Sequence, residues 1–202
     1  LNLRRADRSK ASPLMQAFTL PDLLLQNLPE RGQHQAVVQG QESLDYSELA
    51  ERVRTAAGRL SSLGLQKGDR VGVHLVKSID EIVAVFAVSS CGGVIVNLNA
   101  QLTVSQVARA LRVTSARLLI TSARRAAALL RGPCPDTLER MVVVDRAAGD
   151  RPHARLSAWS DLDQRPISAG ARLGDRDRCA IIYTFGSTRP TKGAVLTHGM
   201  AV

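Results

Sequence analysis

The sequence predicts an α/β fold, a largely parallel sheet flanked by helices, from three observations. Short β-branched runs alternate with helix-length segments from residue 36 onward, the pattern of β-α-β units with right-handed crossovers. The stretch from Ile82 to Ala108 carries no charge, yet Ser89, Ser90, Asn97, Asn99 and Gln101 interrupt it and Gly92-Gly93 breaks it. It therefore reads as a buried helix followed by a buried strand, not as a membrane span. Aromatic residues are only 3% against 45% hydrophobic, so the core is built from Leu, Val, Ile and Ala, which suits helices on a buried sheet. A chain of 202 residues with 22% charged residues is one large domain or a domain plus a piece. Such a chain buries roughly 70% of its extended surface, which excludes wholesale disorder and collagen-like repeats.

Residues 1–17 are polar, basic and aperiodic and read as a loose leader, and 18–202 as one subdomain incomplete at its C-terminus. Thr19-Leu20-Pro21-Asp22 opens a short helix, with Pro21 in its first turn, expected to run to about Leu28. Ala36–Val38 and Glu42–Leu44 form a small hairpin around Gly40-Gln41. Asp45 with Glu48 makes a capping box, and Leu49, Val53, Ala56, Leu60 and Leu63 recur at spacings of four and three until Gly64. That helix presents one apolar stripe to a core. Lys67-Gly68-Asp69 turns the chain into a strand over Arg70–Val76, and Ile79–Ser90 follows as a mostly apolar helix. Val94–Leu98 is strand, Thr103 with Gln106 caps a helix to about Val113, Arg117–Thr121 is strand, Ser122–Leu130 helix and Met141–Val144 strand. Arg146–Arg155 reads as a polar loop, Ser157–Leu162 as one helical turn and Arg165–Asp177 as a Pro/Gly/Arg linker. A strand over Cys179–Thr184 comes next.

The net charge of +9 could attract nucleic acid or acidic lipid, but the chain has only four lysines, Lys10, Lys67, Lys77 and Lys192, and scattered arginines. With so few aromatics for base stacking, no nucleic-acid partner is expected. Cys91, Cys134 and Cys179 are odd in number and show no metal-ligand spacing, and Cys91 and Cys179 lie in apolar runs as small buried hydrophobes. A reducing, cytoplasmic setting without disulfides or a metal site follows as an expectation. Arg4, Arg5, Arg8 and Lys10 are followed by no apolar signal core, and the expectation is a chain truncated at both ends.

The chemistry concentrates in Tyr183 to His198, YTFGSTRPTKGAVLTH, a hydroxyl-rich loop between two apolar strand-like runs. Gly186 permits close backbone approach, Ser187 and Thr188 add donors, and Lys192 supplies a point charge that reaches an oligophosphate. The common nucleotide loop G-x-x-x-x-G-K-[ST] does not fit, because Lys192 is six residues after Gly186 and Gly193 follows it. An ordinary solvated turn has the same composition, so residue types alone leave both open.

The order of the residues resembles the phosphate-loop signature Y-T-S-G-[ST]-T-G-x-P-K-G of the adenylate-forming superfamily, which holds acyl- and aryl-CoA synthetases, luciferases and peptide-synthetase adenylation domains. Tyr183, Thr184, Gly186, Ser187, Thr188, Lys192 and Gly193 match in place, and Thr197-His198 follows the same usage. LDYSELAERVRTAAGRLSSLGLQKGDRVGVHL and AVSSCGGVIVNLNAQLTVSQVARALRVTSARLLIT are similar to the family's earlier segments, so the resemblance covers roughly Leu20 to the end. It implies the N-terminal subdomain of the large domain of an AMP-forming acyl-CoA ligase. There a carboxylate, here an acyl or fatty acid, attacks the α-phosphate of ATP to give acyl-AMP and pyrophosphate, and CoA then takes the acyl group. It further implies that Thr184, Gly186, Ser187, Thr188, Lys192 and Gly193 bind the ATP phosphates, with Mg2+ accompanying ATP and CoA as co-substrate.

Phe185, Arg189 and Thr191 depart from the signature, standing where the family has Ser, Gly and Pro, and Asn97 replaces a Pro. Phe185 removes a hydroxyl and Arg189 removes glycine freedom, which points to weakened phosphate binding. The family's adenine and acyl pockets, its Mg-linked acid and its catalytic Lys lie beyond this loop, so the 202 residues alone are expected to be inactive. The alternative is a non-catalytic short paralogue acting as a binding or interaction module. His198 is open between a place near the acyl site and a structural role at a helix start. His34, His74 and His153 lack partners at ligand spacing, and Asp161-Asp163 and Asp175-Asp177 read as solvated loop pairs.

Overall fold

The structure, a computed structural model, describes residues 19–145, 153–162, 172–184 and 192–202, with only the backbone at Asp161, Thr184 and Lys192. The leader and the larger parts of the two expected loops, 146–152 and 163–171, lie outside the described residues.

The elements run α1 (Leu20–Leu25), α2 (Leu28–Arg31), β1 (Gln35–Gln39), β2 (Glu42–Asp45), α3 (Tyr46–Ser62), β3 (Arg70–His74) and α4 (Ile79–Ser90). Then come β4 (Val94–Asn97), α5 (Val104–Thr114), β5 (Leu118–Thr121), α6 (Ala123–Arg131), β6 (Arg140–Val143), β7 (Leu156–Ala158), β8 (Arg178–Thr184), β9 (Lys192–Thr197) and α7 (His198–Ala201). Strands β1 and β2 form the expected hairpin, and the other seven form one sheet in the order β7-β6-β5-β3-β4-β8-β9. All neighbours in it are parallel except β8 and β9. The run β4-β3-β5-β6-β7 is the doubly wound 2-1-3-4-5 order, which changes direction beside β3.

Local chemistry sets the helix ends. Asp45 accepts from the Glu48 N–H at 2.8 Å while Glu48 accepts from the Asp45 N–H at 3.0 Å, and Thr103 and Gln106 repeat the arrangement. α3 and α4 end on the left-handed glycines Gly64 (φ 77°) and Gly92 (φ 75°). In each case the next two N–H groups return to carbonyls of the last turn: Gly64 to Ser61, Leu65 to Leu60, Gly92 to Ser89 and Gly93 to Val88.

Both faces of the sheet are covered. Leu49, Val53, Leu60, Val83 and Val88 of α3 and α4 pack with Val71, Val73, Ile95 and Ile120, and α1 joins them through Leu24. On the other face Val107, Leu111, Ala126 and Leu129 of α5 and α6 pack with Val96, Leu119, Met141 and Val143. Adjacent strand residues thus serve opposite cores, which is why these runs are apolar without alternation. Cys91 and Cys179 are buried free thiols as expected, and no described helix is long and apolar enough to cross a membrane.

Two expectations need correction. The first helix stops at Leu25, and α2 begins after Asn27, because Pro29 continuing α1 would clash with the Leu25 carbonyl. The single helical turn over Ser157–Leu162 is a strand, β7, followed by a 3-10 turn over Trp159–Asp161. The open edge of β6 supplies backbone partners, pairing Met141 with Leu156 and Val143 with Ala158.

Gly93 is buried without a left-handed φ, but a Cβ there would lie 2.8 Å from Val88 Cγ1 and 3.1 Å from the Val88 carbonyl oxygen. Gly93→Ala is expected to lower unfolding free energy by about 1–3 kcal/mol through overpacking, read by urea denaturation.

Candidate functional site

Parallel strands end together, so β3, β4, β5 and β8 deliver His74, Asn97, Thr121 and Thr184 to one edge of the sheet. A cleft of about 660 Å³ opens there, walled by Lys77 and Glu81 after β3, Asn97 at the end of β4 and Asn99 after it, Arg125 of α6 and Tyr183 of β8. Open α/β sheets bind ligands at this edge, outside the strand carboxyl ends.

Each helix that starts at this edge has one or two of its leading N–H groups bonded to a protein side chain. Ile79 N–H donates to Gln39 Oε1 at 2.7 Å and Glu81 N–H to Ser78 Oγ at 3.2 Å. Gln106 N–H donates to Thr103 Oγ1 at 3.3 Å, and Ala123 N–H to Asp145 Oδ1 at 2.6 Å. These are the groups through which helix starts otherwise attract phosphate, so side-chain capping reduces what each end offers an anion. Lys77 pairs with Glu81 at 3.0 Å, and with Lys77 88% exposed the pair contributes little to stability. Arg125 donates to the Ala100 carbonyl at 3.2 Å, holding the turn after β4.

β8 and β9 form an antiparallel ribbon whose last pair is Thr184 with Lys192, preceded by Tyr183 with Gly193. The backbones of Thr184, Lys192 and Gly193 thus come together at the cleft edge. Gly186, Ser187 and Thr188 belong to 185–191, which lies outside the described residues.

His198 goes elsewhere. β9 runs antiparallel to β8 for six residues, carrying His198 to the opposite edge of the sheet, about 20 Å away at some 3.4 Å per residue. There it is 1% exposed and its Nδ1 accepts the Leu20 N–H at 3.1 Å. Burial lowers its pKa, with Asp177 and Asp22 opposing and Lys67 assisting. Of its two readings, the geometry supports the structural one.

The sequence passed over His74, Lys77 and Arg125 as site groups. His74 is 5% exposed beneath the cleft and lines a cavity of about 80 Å³ with Arg125, Val107, Leu119 and Leu129. Burial, reinforced by the Arg125 charge and opposed by a hydrogen bond to the Asn99 backbone, brings its pKa down to about 4. No motif announces it; only the meeting of β3 with α6 does. His34 is exposed, and His153 accepts the Arg155 N–H. Asp177 accepts from Lys67 Nζ at 2.7 Å and from Gly174 N–H at 2.8 Å, bonds that lower its pKa and close a turn. Among the described residues no group of three or more His, Cys, Asp or Glu could hold a metal ion.

A doubly wound sheet with a cleft at its carboxyl edge, beside the end of the β8–β9 ribbon, defines an open α/β protein of the kind that takes ligands there. A family model described as AMP-binding enzyme matches residues 25–202, and the chain belongs to that family. It is 32% identical over 164 residues to an L-proline--[L-prolyl-carrier protein] ligase of Streptomyces coelicolor, covering 79% of this chain and 31% of that protein. It is 33% identical over 164 residues to a feruloyl-CoA synthase of an Amycolatopsis species, covering 81% of this chain and 30% of the relative. Among solved structures, the anthranilate CoA ligase AuaEII in complex with anthranoyl-AMP superposes with a TM-score of 0.78 at 25% identity, covering 93% of this chain and 36% of that one. The N-terminal subdomain of Klebsiella oxytoca NpsA shares the fold, with a TM-score of 0.72 at 20% identity over 93% of this chain and 43% of that one. The chain spans about a third of the length of its curated relatives.

Because His74 titrates near 6.5 when unfolded and near 4 when folded, the unfolded chain binds the extra proton between those values. Stability from this group is complete above about pH 6.5 and falls as the pH drops to about 4, by on the order of 3 kcal/mol. Denaturant titrations at pH 7 and pH 4.5 are expected to show a smaller acid loss in His74→Gln than in the parent chain.

Proposed function

We propose that this chain is the N-terminal part of an ATP-dependent, AMP-forming ligase that activates a small carboxylic acid, an acyl or fatty acid, and passes it to CoA. In this reading, residues 18–202 form the N-terminal AMP-binding subdomain, and 1–17 a leader to it. The observation that carries it is the β8–β9 ribbon ending at the carboxyl edge of the sheet with Thr184 opposite Lys192, beside a cleft whose neighbouring helix ends are already capped.

The carboxylate oxygen forms a bond to the α-phosphorus of ATP as the bond to pyrophosphate breaks, and the CoA thiolate then displaces AMP from the acyl-AMP. Lys192 offsets charge on the departing β- and γ-phosphates, while Thr184, Ser187 and Thr188 donate hydroxyl and backbone hydrogen bonds. Gly186 and Gly193 keep the loop backbone open to the phosphates. This is catalysis by positioning and charge neutralisation, without a covalent enzyme intermediate. In this reading Mg2+ arrives with ATP, held chiefly by the phosphates themselves. Acyl-adenylate formation belongs to the whole ligase, acting in the cytoplasm, and the 202 residues alone are inactive in this reading.

A second reading, a non-catalytic binding or interaction module, is favoured by Phe185, Arg189 and Thr191 in the loop.

Thermal melting of the folded chain with and without millimolar magnesium-ATP separates the two. A ligand at 100 times its dissociation constant adds about 2.7 kcal/mol to stability. The ligase reading expects a rise in Tm that Lys192→Ala abolishes; a folded chain with no rise overturns phosphate binding by this loop and favours the module.

A further inference from the structure

Gly193 is an exposed strand residue whose backbone does not require glycine, since its φ is outside the left-handed region. Glycine weakens a strand, so its presence next to Lys192 needs a physical reason. A Cβ on Gly193 would touch the Tyr183 ring at ordinary contact, 3.4 Å from both Cε2 and Cζ, and would crowd Ile181 Cγ2 at 3.1 Å, so a branched side chain there has to displace the ring. Tyr183 is the direct cross-strand partner of Gly193, and its ring leans over the glycine while packing with the α5–α6 core and walling the 660 Å³ cleft. An aromatic ring laid across a facing glycine pins strand register.

We propose that Tyr183 and Gly193 form a register lock that positions both ends of the 185–191 loop, Tyr183 acting as a positioning residue for phosphate binding; this rests on the ligase reading. From Ala180–Leu196 to Thr184–Lys192 the ribbon runs without irregularity. A slip of one residue would turn Lys192 to the other face of the ribbon and shift it about 3.4 Å. With the ring seated on Gly193, only one register places Lys192 opposite Thr184 at the cleft edge.

The chain has two tyrosines, Tyr46 and Tyr183, so fluorotyrosine NMR of the full chain gives two resonances, assigned with Tyr46→Phe. Gly193→Val, with Gly193→Ala as the milder variant, is expected to move the Tyr183 resonance before nucleotide is added. It should also weaken magnesium-ATP binding roughly tenfold or more, since small misplacements carry such penalties. Val195→Thr, on the same strand, does neither. Tyr183→Phe keeps the ring and the affinity, Tyr183→Ala loses affinity, and Gly193→Val adds no further loss in the Ala background. An unmoved resonance in both glycine variants, or losses that add, overturns the lock. A parent chain with the expected resonance shifts but no affinity for magnesium-ATP overturns the phosphate reading and leaves the lock standing.

Discussion

Strand β3 is hydrogen-bonded on both sides and buried on both faces, and the architecture depends on it. Val71 pairs with Ile95 of β4 and with Leu118 of β5, so a single register sets the level of three strands. From Val71 to His74, β3 is buried, and each N–H and C=O there must find a partner within the protein. That requirement holds the carboxyl ends level, at one edge where α4, α5 and α6 all begin. The cleft exists because the chain turns one way from β3 to β4 and the other way from β4 to β5.

The two edges of the sheet divide the labour. At the amino edge, charged groups are committed to architecture: the Arg70 guanidinium donates to the Thr114, Ser115 and Gly68 carbonyls, closing the end of α5 against the start of β3. Arg117 bridges Asp69 and Glu139, tying the turn before β3 to the approach to β6. His198 and Lys67 join α1, the 172–177 turn and α7 there. Part of the chain's positive charge thus serves the architecture, through Arg70 and Arg117. The carboxyl edge keeps its polar groups, among them Lys77, Asn99 and Arg125, around a cleft.

In the proposed ligase reading, this division leaves the carboxyl edge to hold phosphates still. A rigid ribbon fixed at its far end by the His198 contact and near the loop by the Tyr183–Gly193 pair delivers two backbone ends with little freedom. Phe185 and Arg189 fall between those two ends, outside the ribbon that forms the frame.

The sequence by itself determined whatever rests on local chemistry. Helices α3, α4 and α5 were legible because capping side chains and apolar spacing act within a few residues, and the strands because runs buried on both faces lack polar alternation. The resemblance of 183–193 to a phosphate loop was legible as an ordered string of residue types, and the family it pointed to is the one that matches. The tertiary structure alone decided what depends on distant partners: β7 is a strand because β6 offers an open edge, and His74 becomes a neutral buried group because α6 folds over it. It also decided which edge of the sheet His198 occupies. A histidine five residues beyond the loop-facing Gly193 sits far from the cleft, because an antiparallel strand moves away from its turn by more than 3 Å with each residue.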